Sequence, residues 1–130
     1  LIALFLGSIS GFCAGIASAL SDSFGSELGQ LSKSKPVLIT SLKKVQAGED
    51  GGVTLFGFLM SIMGSLIIAL LYFGLFEQNT FKTSIIFIAG IAGSTLDSVI
   101  GALFERNKWI TNNTTNFLSS WLAVLIGMLI

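Results

Sequence analysis

The sequence predicts an all-α integral membrane fold, a bundle of about four transmembrane helices, and three observations predict it. The 130 residues are 52% hydrophobic and only 11% charged, with a mean hydropathy of +0.86; a soluble domain carries about a quarter charged residues. Uncharged runs long enough to cross a bilayer recur along the chain. The charges collect in the intervals between them. A soluble domain of this size has too little interior to hide so much apolar surface. Seven basic residues balance seven acidic ones, which excludes a nucleic-acid binder resting on bulk positive charge. With no histidine and a single cysteine, Cys13, the chain has no His-ligated metal, no Ser–His or Cys–His couple, no intrachain disulfide and no multi-cysteine zinc site.

The first expected span covers residues 1–20, which contain no charge; at about 1.5 Å per residue such a helix spans roughly 30 Å. Ala17-Ser18-Ala19 imitates a signal-peptide cleavage site, but no basic segment precedes it and further spans follow. The second span covers 53–76, and the third, 84–104, is interrupted only by Asp97. The fourth, 117–130, reaches only about 21 Å. Because it is short, and because the chain begins with Leu1 inside an apolar run, the sequence reads as a single membrane domain, residues 1–130, cut from a longer multi-span protein. Small residues recur at helical spacing in every span: Gly7, Gly11, Gly15 and Ser18; Gly57, Ser61 and Gly64; Gly90, Ser94, Ser98 and Gly101; Ser119, Ala123 and Gly127. Membrane helices use such stripes to approach closely.

Orientation follows from the polar loops, 21–52 and 105–116. They hold Lys33, Lys35, Lys43, Lys44, Arg106 and Lys108, whereas the intervening loop holds only Lys82. The positive-inside rule places both polar loops in the cytoplasm. Trp109 reads as an interface anchor. The long first loop, with its apolar stretch Pro36-Val37-Leu38-Ile39, reads as an interfacial or partly re-entrant segment rather than a disordered one.

The acidic residues carry the chemistry. Asp22 falls at the mouth of the first span, with Glu27 five residues on, and Asp97 lies seven residues before the end of the third. A carboxylate at that depth costs about 2.5–3.5 kcal/mol on insertion scales, so it should face a bundle interior or a watery cavity. Flanking Ser94 and Ser98 mark the same face, and Asn116 enters the fourth span on its polar side. A buried, protonated Asp97 bonded to a neighbouring helix is one reading. The other is a shared site in which Asp22, Glu27 and Asp97 hold Mg²⁺. There Lys33, Lys35, Lys43 and Lys44 meet phosphate, and the turn Gly48-Glu49-Asp50-Gly51-Gly52 lets Gly51 and Gly52 bring backbone close to a ligand. That layout suits phosphoryl transfer by positioning and charge stabilisation.

The motif Ser21-Asp22-Ser23-x-x-Ser26-Glu27-x-Gly29 resembles the Asp-Thr-x-x-Ser-Glu-x-Gly element of a multi-pass membrane family. That family was long labelled a domain of unknown function, number ninety-two, and includes transmembrane protein nineteen and plant phytyl-phosphate kinase. The resemblance continues through Pro36-x-x-Ile39-Thr40-Ser41-x-Lys43, Gly48-x-x-Gly51-Gly52-Val53-Thr54-x-x-Gly57, Gly90-x-x-Gly93-Ser94-x-x-Asp97-Ser98-x-x-Gly101-Ala102 and Trp109-x-x-Asn112-x-x-x-Asn116. Ser23 stands where the family usually has Thr, and Glu49 where the turn often has Thr or Ser. The resemblance implies a prenyl-lipid phosphate kinase. It would use a nucleoside triphosphate, CTP or ATP, as co-substrate with Mg²⁺, and an isoprenoid monophosphate as acceptor in the bilayer. Asp22, Glu27 and Asp97 would then be the catalytic, metal-holding groups. Lys33, Lys35, Lys43, Gly51, Gly52, Ser94, Ser98 and Asn116 would contact substrate or nucleotide phosphate. Two rival readings remain. A transporter or channel would use Asp97 as an intramembrane ion or proton site and spread polar groups across the bilayer depth. A non-catalytic scaffold would leave Asp22 and Asp97 on opposite faces.

Overall fold

The computed structural model describes residues 7–130. Among these, four α-helices form the bundle: α1 (Ile9–Ser23), α2 (Leu55–Leu75), α3 (Thr80–Ile100) and α4 (Asn112–Met128). α1 and α3 each continue into a single π-helical turn, Phe24–Leu28 and Gly101–Glu105. Between α1 and α2, strands β1 (Val37–Leu38) and β2 (Gly52–Val53) pair antiparallel, with Val37 opposite Val53. Val37 also bridges to Lys44, so the segment folds as a small antiparallel arm. Two helices, Leu55–Leu75 and Thr80–Glu105, are long and apolar enough to cross a membrane by length and composition.

Capping residues set the helix starts and move several expected boundaries. Ser8, Thr54, Asn79 and Thr111 are extended residues whose side-chain oxygens accept N–H bonds from the first turns of α1 to α4. α3 therefore begins at Thr80 rather than 84, and α4 at Asn112 rather than 117. The uncharged run marks where lipid begins; the cap marks where the helix begins. The opening of the expected first span lies outside the described residues. α1 starts only at Ile9, after Gly7 at φ 76° and the Ser8 cap. Its π turn carries the helix to Leu28, so Asp22 and Glu27 stand on helix, not on loop.

The interior is built from small side chains, with Cys13, Ala14, Ala17, Ala69, Tyr72, Ile86, Ala89 and Ala123 as its apolar cluster. Four of the helix pairs are each tied by one serine hydroxyl. Ser10 donates to the Gly127 carbonyl (2.7 Å, α1–α4), Ser21 to the Ser61 carbonyl (2.8 Å, α1–α2), and Ser65 to the Phe87 carbonyl (2.7 Å, α2–α3). Ser119 donates to Asp97 Oδ1 (3.0 Å, α3–α4). Such bonds form only when backbones nearly touch, and the small-residue stripes allow it. At Gly64 an added Cβ would lie 2.7 Å from the Leu20 carbonyl oxygen, so α1 and α2 can cross there only over a glycine. Large apolar side chains point outward instead, among them Leu59, Met63, Ile67, Leu70 and Leu71 of α2 and Phe81 and Ile88 of α3. The arrangement is that of a bundle solvated by lipid.

The α2–α3 turn closes one end of the bundle. Tyr72 Oη donates to Glu77 Oε2 at 3.0 Å, and Lys82 Nζ meets the same oxygen at 2.9 Å. Lys82 and then Tyr72 hold the Glu77 carboxyl below the usual glutamate range.

Candidate functional site

At the opposite end, where α1 and α3 finish and α2 and α4 begin, lies a polar cavity of about 540 Å³. Its walls are the end of α1 with its π turn, the Ala47–Gly52 turn of the arm, the end of α3, and Asn112 and Asn116 of α4. A π turn carries an extra residue and recurs at functional sites; here one such turn supplies Glu27 and the other Glu105 to the cavity.

Asp97 is buried, at 9% exposure, and its Oδ1 accepts the Ser119 hydroxyl. The Asp22 carboxyl approaches it across the α1–α3 crossing within hydrogen-bonding reach. Higher on the wall, Glu105 makes the same close approach to Asp50 and lies beside Thr115. Two contacting carboxyls cannot both carry full charge unless a cation or a shared proton sits between them.

The arm is fastened over this site at two points. Gly51, at φ 75°, lies on Ala102 of the α3 π turn, where a Cβ would run into both the side chain and the backbone of Ala102. Glu49 accepts the Gln46 N–H through Oε1 at 2.9 Å and pairs through Oε2 with Arg106 Nη1. The Gln46 amide and then the Arg106 guanidinium hold the Glu49 carboxyl below its ordinary range.

The structure brings Asp22, Glu27, Asp97, Gly51, Gly52, Ser98 and Asn116 to one cavity. Ser94 is buried and lines an adjoining cleft instead. Other expected residues are placed apart. Lys33, Lys35 and Lys43 do not line the cavity; like Lys44 they are exposed on the arm, where long cationic side chains reach water or headgroups. Nor do Asp22, Glu27 and Asp97 form a three-ligand metal cage: among the described residues no three acidic or cysteine side chains converge on one point. Glu27 lies on the exposed wall, while Asp22 and Asp97 pair.

Sequence reasoning missed Glu49, Asp50, Glu105 and Asn112 as cavity residues, and Ser119 as the partner of Asp97. Asp97, Gly101 and Glu105 recur every four residues, which puts them on one helical face. That period is legible in the sequence, but Glu105 also opens the charged segment 105–116, which reads as a loop. With these additions six carboxylates line the cavity, and no lysine or arginine does.

Fold and site together define an all-α membrane protein with an acidic cavity at one end of its bundle. The chain belongs to the family Integral membrane protein DUF92, which it matches over residues 3–124. It is 41% identical over 124 residues to an uncharacterized membrane protein of Methanocaldococcus jannaschii, covering 95% of this chain and 51% of that one. A second uncharacterized membrane protein, from Synechocystis sp., is 32% identical over 123 residues, covering 91% of this chain and 46% of the relative. Protein VTE6, chloroplastic, of Arabidopsis thaliana is 27% identical over 127 residues, covering 95% and 37%. The chain spans about half the length of the first two of these relatives. No solved structure matches.

Proposed function

We propose that this protein is a prenyl-lipid phosphate kinase, transferring a nucleotide phosphoryl group to an isoprenoid monophosphate at the cavity end of the bundle. One observation carries the reading: Asp22 and Asp97 pair at the floor of a cavity with six carboxylates and no basic side chain in its walls. A phosphate enters such a cavity only together with a cation. Mg²⁺ binds through one or two carboxylates and completes its shell with water and substrate phosphates, so the Asp22–Asp97 pair suits it without a third protein ligand. A Mg²⁺ ion held there would supply positive charge against the negative charge of the phosphates during transfer.

The chain's own residues have separable tasks. Asp22 and Asp97 would hold the cation, and Ser119 fixes the Asp97 carboxyl through its hydroxyl. The N-terminal turn of α4 presents Asn112 and Asn116 to the cavity, and Thr54 and Gly52 bring in the start of α2. Helix N-termini favour anionic groups. Gly51 and the Glu49–Arg106 pair keep the arm over the site and limit its water. The collection of polar groups at one end argues against the transporter reading, and the shared cavity argues against the scaffold. The motif resemblance to a family that includes plant phytyl-phosphate kinase supports the acceptor class.

The test is an assay of the full-length protein in membranes with γ-labelled CTP or ATP, Mg²⁺ and C15–C20 prenyl monophosphates. The expected product is a labelled prenyl diphosphate, lost on chelation of the metal and in Asp22→Asn. No transfer to any prenyl phosphate with either nucleotide sinks the proposal.

A further inference from the structure

A second cavity, about 360 Å³, adjoins the acidic one and differs from it in character. It lies between the first turns of α2 and the C-terminal half of α3, roofed by the arm. Val37, Ile39, Val53, Leu55 and Phe58 give it apolar walls. The small residues Gly57, Ser61 and Ser94 also line it, with Thr95 beside them. Leu55 is 76% exposed and Phe58 46%, and both belong to the same outward apolar surface as Leu59 and Met63, so the cleft opens toward lipid. The two cavities adjoin across a common wall: Asp22, Gly25, Ser26, Gly52, Thr54 and Ser98 line both.

We infer that this cleft holds the tail of the lipid substrate, which reaches the site sideways from the bilayer between α2 and α3. The inference rests on the phosphoryl-transfer reading for the identity of the head group and goes beyond it in assigning the tail a place. A polar chamber adjoining an apolar one across a shared wall is complementary to an amphiphile whose phosphate and chain are directly joined. The end of α1, the start of α2, the C-terminal half of α3 and both strands of the arm bound the cleft. From Ser98 to Ser94 the α3 wall rises only about 6 Å. The cleft therefore grips the first isoprene units, and the remainder of the chain stays in lipid.

Two measurements on the full-length protein reconstituted in liposomes test this. The first is photolabelling by a C15 prenyl monophosphate carrying a diazirine on its first isoprene units, which requires no turnover. Labelling within Val53–Ser61 or Ser94–Ser98, competed by unlabelled prenyl monophosphate and not by phosphatidic acid, supports the cleft, whether or not phosphoryl transfer is observed. Labelling elsewhere, no labelling, or equal competition by the diacyl lipid overturns it, even where transfer activity is intact. The second is the dependence of KM on chain length. With substrate counted by its mole fraction in the bilayer, so that partitioning into lipid cancels, KM should fall from C5 to C15 as the cleft walls contact the added units, and Thr95→Phe, which fills the cleft, should flatten that dependence. Ile39→Trp, on the arm and outside the helix packing, repeats the test if Thr95→Phe does not fold. Leu70→Phe, on the lipid-facing surface of α2, should leave the dependence as it is. An unchanged dependence in both cleft variants overturns the proposal.

Discussion

Asp97 shows how one residue is defined by its neighbours. Its Ser119 hydroxyl and its facing Asp22 come from two other helices, and only their convergence turns an expensive intramembrane carboxylate into a site. Asp97→Asn keeps the shape and the Ser119 contact but removes the charge that would hold a cation. Phosphoryl transfer should fall by about 10²–10³, the usual cost of removing one preorganised charge-stabilising group. Unaltered transfer by Asp97→Asn would assign the residue to packing alone. Ser18 offers the opposite case. Its hydroxyl is buried one turn below Asp22, against Gly93, with no hydrogen-bond partner among the described residues. Removing an unsatisfied buried hydroxyl is neutral or favourable, so Ser18→Ala should leave thermal stability equal or slightly raised. A clear fall in the melting temperature would show that the hydroxyl is bonded.

Among the elements, the arm is the one the fold holds least firmly. It has two short strands, a turn with Leu42 at φ 57°, and exposed Lys43 and Lys44 at its tip. Gly51→Ala forces an L side chain into the left-handed region at a cost of about 1–2 kcal/mol, and adds a collision with Ala102. Trypsin cleavage at Lys43–Lys44 should accelerate by roughly tenfold or more, since cleavage follows the population of the open form. The Glu49 clasp adds a pH dependence of defined sign. Glu49 titrates below its ordinary value because the Gln46 amide and Arg106 favour its charged form. Its contribution is therefore complete above the ordinary glutamate range, about pH 4.3, and is lost as pH falls through the lower folded-state value. Hydrogen exchange in the Gln46–Gly52 segment should rise on acidification through that window. Arg106→Gln should weaken this response without abolishing it, because the Gln46 bond remains.

At the scale of the whole molecule, charge is sorted between the two ends. Eight of the fourteen charged residues lie between Asp22 and Asp50 and four more between Asp97 and Lys108, leaving Glu77 and Lys82 for the far turn. Cysteines introduced at Lys44 and Asn107 should react with an impermeant thiol reagent from one side of the membrane, the cytoplasmic side by the positive-inside rule. A cysteine at Gln78 should react from the other. Cys13 is buried and should stay silent. Labelling of positions 44 and 107 from opposite sides would contradict the bundle topology.

The sequence by itself determined the all-α membrane class, the small-residue faces that become helix contacts, and the conjunction of Asp22 and Asp97 with a glycine turn. These are legible because lipid imposes a composition on every span, and because close helix packing imposes a period. Tertiary structure decided the rest. It extended α1 and α3 through π turns, recruited Asp50 and Glu105 to the cavity, and turned the arm lysines outward. It also set an apolar cleft beside the acidic chamber. Apart from the four-residue period that joins Glu105 to Asp97, none of this has a local signature strong enough to read. Where a loop folds back, and which carboxylates then share a wall, depends on contacts between residues far apart in the chain.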